Sequence, residues 1–271
     1  MTAGDIIVVK GSTASRKAAA FDGTDDYILA DAHAVARVAA NDTKGTYSAW
    51  IYVDDIAGTY TILSAGDNNS VNEFLQFITV GGKLKVFLQT AGATRFDIIQ
   101  TTASIEAKTW THVALRQNGT RPDLFVNGKI VVMTDTTSTD LTYWYAELNN
   151  VDKFAIGIKE SNATHTEDFT GMISDVKYWN RALTAGEVLS DKLGEALDLD
   201  STYLQLHLLK GDFGITDQGA GADNGTLTGH TYLCGEGSEW SRRLDGSAVV
   251  ADDINTILYP GGAMTTIVKA A

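Results

Sequence analysis

Carboxylates, histidines and aromatic rings are the side chains of this sequence that could do chemistry, and their spacing decides what kind. No His-Glu-x-x-His, no Gly-x-Ser-x-Gly and no Gly-rich loop closing on Lys-Ser/Thr occurs, so the common patterns for zinc hydrolysis, serine hydrolysis and phosphate cradling are missing. The histidines, His33, His112, His165, His207 and His230, are scattered. His112 stands two residues after Trp110 in an apolar run with no nucleophile or acid beside it. It reads as a structural histidine hydrogen-bonded within a sheet, not as a general base. The site residues expected for catalysis, a cofactor or a resident metal are therefore none. A sugar site needs an aromatic platform beside polar groups. The rings on offer are Trp50, Trp110, Tyr143, Trp144, Tyr145 and Trp179. Within Tyr143-Trp144-Tyr145, Trp144 is expected inside and one neighbour at a contact surface.

These residues must be positioned by strands. The run from Trp110 to Met133 falls into three apolar pieces, Trp110–Gln117, Asp123–Val126 and Lys129–Met133. Asn118, Gly119 and Pro122 break the first join, and Asn127-Gly128 turns the second. Asn-Gly between two apolar runs is a strong hairpin signal, because both turn residues tolerate positive φ. Val113 and Leu115 alternate with Trp110 and Ala114, so both faces are apolar and the first piece belongs inside a sheet. Further strands are expected at 18–21, 27–30, 46–53, 59–65, 73–80, 83–89, 95–101, 151–159 and 169–180. Turn signals between them recur about every ten residues, as in a sandwich or jelly roll. Asp31–Ala40 is Ala-rich enough for a helical turn. The clear helix signal is Thr184 with Glu187 three residues on, a capping box, followed by Val188, Leu189 and Leu193 and stopped by Gly194. The expected class is all-β: an antiparallel sandwich with one short helix, an N-terminal arm and a C-terminal extension.

Composition limits the partners. The 271 residues are 44% hydrophobic and carry 21 Lys and Arg against 34 Asp and Glu, a formal charge of -13. An acidic surface repels phosphate backbones, so no nucleic-acid partner is expected. No apolar run is long enough to cross a bilayer as a helix, and no membrane insertion is expected. Cys234 is the single cysteine and residues 1–17 lack the pattern of a secretory leader, which together point to assembly in a reducing cytoplasm.

Four blocks, FDGTDDYILA (21–30), TYSAWIYV (46–53), WTHVALRQNG…DLFVNGK (110–129) and FTGMISDVKYWNRALTAGEV (169–188), resemble, in this order, concanavalin A-like lectin/glucanase domains of the laminin-G-like and pentraxin-like kind. Gly171, Ile173, Asp175, Val176, Trp179, Asn180, Arg181 and Leu183 match the closing strand and the turn into its helix. The resemblance implies a jelly roll over 18–210. Glucanases of this fold carry Glu-x-Asp-x-x-Glu, which is absent here, so the chain is expected not to be an enzyme. Many relatives bind Ca²⁺ in rim loops. On that resemblance Asp67, Asn68 and Asn69 of one loop, with Glu167 and Asp168 of another, are candidate oxygen ligands, against the plainer reading that Asp and Asn serve turns.

Residues 1–17 read as an arm and 211–271 as an extension. Within it, Leu244-Asp245-Gly246 echoes Phe21-Asp22-Gly23, as in a truncated second repeat, which would need cover from the domain or from another copy. The resulting expectation is a non-enzymatic structural protein of a bacteriophage virion, a capsid decoration or a tail or fibre part, assembled in the host cytoplasm. Its partners would be itself, as a homo-oligomer, and other virion proteins. The alternative is a carbohydrate-binding module or adhesin that recognises host surface glycans.

Overall fold

The computed structural model describes residues 18–195 and 197, and beyond them the backbone of short strands at 202–207, 216–217, 226–228, 232–234, 256–258 and 264–266. The expected arm at 1–17 and the repeat echo that begins at Leu244 lie outside the described residues.

The elements are β1 (Ala18–Asp22), β2 (Tyr27–Leu29), α1 (Asp31–Ala39), β3 (Gly45–Val53), β4 (Thr59–Asp67), β5 (Ser70–Val80), β6 (Lys83–Thr90), β7 (Ala93–Gln100), β8 (Thr111–Gln117), β9 (Pro122–Val126), β10 (Lys129–Ile130), β11 (Met133–Ser138), β12 (Lys153–Ile156), β13 (Lys159–Ser161), β14 (Thr164–Thr166), β15 (Thr170–Trp179), α2 (Ala185–Leu193), β16 (Thr202–His207), β17 (Thr216–Asp217), β18 (Thr226–Thr228), β19 (Tyr232–Cys234), β20 (Thr256–Leu258) and β21 (Met264–Thr266). They build an antiparallel sandwich. One sheet runs β10-β9-β8-β3-β15-β1-β19, with β16 on β15 and β17 on β16; the other runs β11-β7-β6-β5-β4-β12-β2-β18. We call them sheet A and sheet B.

The expected meander holds for β8, β9 and the Asn127-Gly128 turn, where φ is 52° and 78°. β8 lies between β3 and β9, inside sheet A. Its third piece is shorter than expected: after Ile130 the chain leaves sheet A, and Met133 opens β11 at the edge of sheet B. The core between the sheets joins Val113, Leu115 and Leu124 of sheet A to Leu75, Phe77, Val86 and Phe96 of sheet B.

Helix α2 has the capping box its sequence encodes: Glu187 N–H donates to Thr184 Oγ1, and Thr184 N–H donates to Glu187 Oε2. Gly194 ends it at φ 73°. The helix lies on the outer face of sheet A, where Val188 packs with Ala114, Phe125, Trp179 and Leu183. The expected apolar stripe is only partly used. Leu189 and Leu193 are exposed, and the face turned to the sheet is Val188 with Asp191. A second helix, α1, corrects the expectation of one. It lacks a side-chain N-cap and is held instead by tertiary contacts. Ala34 is buried, Arg37 meets Asp42 at 3.2 Å, and Lys153 Nζ and the Phe154 N–H reach Asp31. Among the described residues no helix is long and apolar enough to cross a membrane.

Candidate functional site on the outer face of sheet B

The outer face of sheet B brings rings and polar groups together, with Phe87 half-buried and Phe74, Gln76 and Asp97 buried. Strand β6 alternates cleanly: Leu84, Val86 and Leu88 point into the core, and Lys85, Phe87 and Gln89 point out, half-buried. Register across the sheet sets Ser64, Gln76, Phe87, Asp97 and Thr137 side by side in one row, and Gly66, Phe74 and Gln89 in the next. Phe74 and Phe87 are stacked, with centroids 5.3 Å apart and planes at 17°. Lys159 Nζ lies 4.0 Å from the Phe74 centroid and Lys85 Nζ 5.7 Å from that of Phe87, so a cation flanks each ring. Lys85 also pairs with Asp97 Oδ2 at 2.9 Å, while Asp97 Oδ1 is buried without a hydrogen-bond partner. Gln76 Nε2 donates to Thr61 Oγ1 at 2.9 Å and to Glu167 Oε2.

The hairpin β13–β14 stands on the same face, over β4. Gly66 permits this: a Cβ there would lie 2.2 Å from the Glu160 carbonyl oxygen. Ser64 Oγ donates to the Ile158 carbonyl and accepts from the Glu160 N–H. Asn162 N–H donates to the Asp67 carbonyl. Lys159 leaves the hairpin toward Phe74, so the hairpin walls one side of the two-ring platform. Apolar ring surface bordered by an ammonium, a carboxylate and amides suits a polyhydroxylated ring, which offers both C–H faces and hydroxyls.

The structure does not assemble the expected calcium ligands. Glu167 lies beside Thr61, near the start of β4, and Asp67 ends that strand, about 20 Å away at the rise of an extended chain. Asp67 Oδ1 accepts the Asn69 N–H, and Asn68 N–H goes to Asp152, so that loop spends these groups on its own turn. Asp168 sits instead near Asp22 and Asp25, and burial with their negative charge raises its carboxyl. Asp22, Asp25 and Asp26 place oxygens within 4.8 Å of one another and are the described carboxylates that could share a hard cation. Asp22 Oδ1 and Asp26 Oδ2 already accept turn N–H groups, from Thr24 and Asp22 respectively. This cluster hides in the sequence as an ordinary Asp-Gly turn.

The expected aromatic candidates are mostly structural. Trp144, Tyr145 and Trp179 are buried, and Trp144 Nε1 donates to Tyr178 Oη at 3.3 Å. Tyr143 is half-buried under the Arg95 guanidinium, 4.9 Å from its centroid. Trp50 stacks edge-on to His112, and Trp110 packs on Tyr52. His112 is buried, and its partner is Asp191 of α2 at 3.0 Å, not a group of the sheet. Phe74 and Phe87 escaped notice. Their signal was the strict alternation of KLKVFLQT, which puts a phenylalanine among lysines on the solvent side.

No curated protein matches the chain. Among solved structures it is similar to the CBM40 of the Ruminococcus gnavus IT-sialidase, at 16% identity and a TM-score of 0.54, covering 66% of this chain and 97% of that one. The same module bound to alpha2,6 sialyllactose matches at 14% identity and TM-score 0.52, covering 65% and 96%. A leech intramolecular trans-sialidase complexed with 2,7-anhydro-Neu5Ac matches at 17% and 0.55, over 67% of this chain and 28% of the enzyme. Such likenesses show the fold. Residues 22–189, more than half of the chain, match the Laminin_G_3 family model. With that match and the two-sheet sandwich together, the chain belongs to the concanavalin A-like lectin/glucanases superfamily.

Proposed function

We propose that this protein binds carbohydrate without transforming it, through the two-ring platform on the outer face of sheet B. One observation carries the reading: Phe87 stands half-buried on the outer face of a sheet between the Phe74 ring and the Lys85–Asp97 pair. A fold neighbour bound to alpha2,6 sialyllactose supports it. The carboxylates on the face are engaged, Asp97 by Lys85 and Glu167 by Gln76, which suits holding a ligand more than proton transfer.

A glycan array followed by calorimetric titration of the best ligand tests the proposal, with sialyllactose tried first. Binding lost in Phe87→Ala, with the ligand recovered intact after incubation, is the expected result. No binding across the array, or binding unchanged in Phe87→Ala, overturns it. The virion role expected from the sequence is compatible with such a site, since an adhesin can ride on a particle; it has no support from the comparisons.

A further inference from the structure

Glu160 of β13 and His165 of β14 face each other across the hairpin. Glu160 is 4% exposed, its Oε2 is buried with no hydrogen-bond partner, and its Oε1 lies 3.9 Å from His165 Nε2. His165 in turn rests on the Tyr27 ring, centroids 4.5 Å apart. Neighbouring Lys159 points the other way, onto Phe74. One short strand thus carries a platform residue on one side and a buried carboxyl on the other.

We infer that Glu160 is a positioning residue of the glycan platform: in its buried seat it holds hairpin β13–β14 against β4 so that Lys159 caps Phe74, and gain or loss of its proton tightens or loosens that seat. The inference rests on the carbohydrate-binding reading.

A carboxylate buried with an unmatched oxygen gains by moving to water, whereas its neutral acid loses little by staying. The groups facing Glu160 are His165 from β14, Asp31 from α1, and Asp152 and Lys153 at β12; Ser64 of β4 holds its backbone. Burial is the largest influence and raises the Glu160 carboxyl; His165 and Lys153 oppose it, and Asp31 and Asp152 add to it. The sign follows. A carboxyl raised in the seat disfavours the seat at high pH, and the penalty is relieved as pH falls through the raised value toward the ordinary 4.5. The hairpin therefore sits tighter, and the platform is better formed, in mild acid.

The test uses the full chain and two readouts. Hydrogen-exchange protection of amides 160–166, corrected for intrinsic exchange, is compared at pH 5.0 and 7.5 in wild type, Glu160→Gln and His165→Gln. Wild type should be more protected at pH 5.0 than at pH 7.5, by about threefold or more. Glu160→Gln, isosteric and neutral, should be protected equally at both pH values, and His165→Gln should keep a pH response. Equal protection of wild type at both values, or an unchanged response in Glu160→Gln, overturns the inference. Sialyllactose and lactose affinities in the same buffers form the second readout. Binding that ignores pH overturns the link to the platform. Absence of binding at either pH overturns the carbohydrate reading instead, and the exchange data then decide the seat alone.

Discussion

Asp191, on helix α2, grips His112 in the middle of sheet A at 3.0 Å and Lys177 of β15 at 2.6 Å. The helix is thereby fastened to two strands by one buried carboxylate. Burial pushes this carboxyl up, but the His112 hydrogen bond and the Lys177 charge outweigh it and hold it at about 2. A depressed carboxyl stabilises the fold above its ordinary value of 3.8 and loses that contribution as pH falls through about 2. Asp191→Ala should cost about 3–5 kcal/mol, because it leaves His112 and Lys177 facing an empty place. Urea unfolding at pH 7 measures this. The wild-type stability should fall between pH 4 and 2, and the variant should lose that component of the fall.

Leu115 tests the sandwich itself. It is fully buried, opposite Tyr47 on one side and Leu124 on the other. Leu115→Ala should destabilise by about 2–5 kcal/mol. An unchanged midpoint on unfolding would show that β8 is not an interior strand.

Phe87→Ala separates the platform from the core. The substitution removes half of a stacked pair whose coupling is about 0.5–1.5 kcal/mol. The expected outcome is a folded protein with a small shift in its unfolding midpoint and at least a tenfold loss of glycan affinity. Gln76→Ala should do the reverse in part. It frees Glu167 and the loop it holds, lowering affinity while Phe87 stays in place.

What the sequence made legible was local. Asn127-Gly128 and the Thr184–Glu187 box name their own turn and cap, because the information lies within four residues. Helix α1 does not name itself: Ala30 provides no cap, and the helix persists because His33, Ala34 and Arg37 are buried by strands far along the chain. The site was harder for the same reason. Alternation in β6 tells which side chains share a face, but not that β13–β14 walls that face, since the wall depends on Gly66 receiving a hairpin nearly a hundred residues later. Asp67 and Glu167 looked like one ligand set because the sequence does not show that β4 runs straight between them.

The C-terminal strands bring the last prediction. β18 pairs with β2 at the end of sheet B, and β19 with β1 at the end of sheet A, so the short strands 226–228 and 232–234 cover the outer edges of β2 and β1. Each would otherwise be an open edge with unpaired N–H and C=O groups. The sequence leaves open whether the extension packs on its own domain or on a neighbour. Cys234 stands opposite Ala18 in this register. Directly opposed residues of an antiparallel pair lie about 4.5–5.5 Å apart at Cα, within the range a disulfide spans. Ala18→Cys in the full chain, mildly oxidised, should therefore give an intrachain disulfide: a monomer of altered mobility on a non-reducing gel, reverting with reductant and absent when Cys234 is replaced by Ser. Disulfide-linked dimers at low protein concentration would instead show that the two strands are given to a second copy, and failure to form any disulfide would show that β19 does not lie on β1.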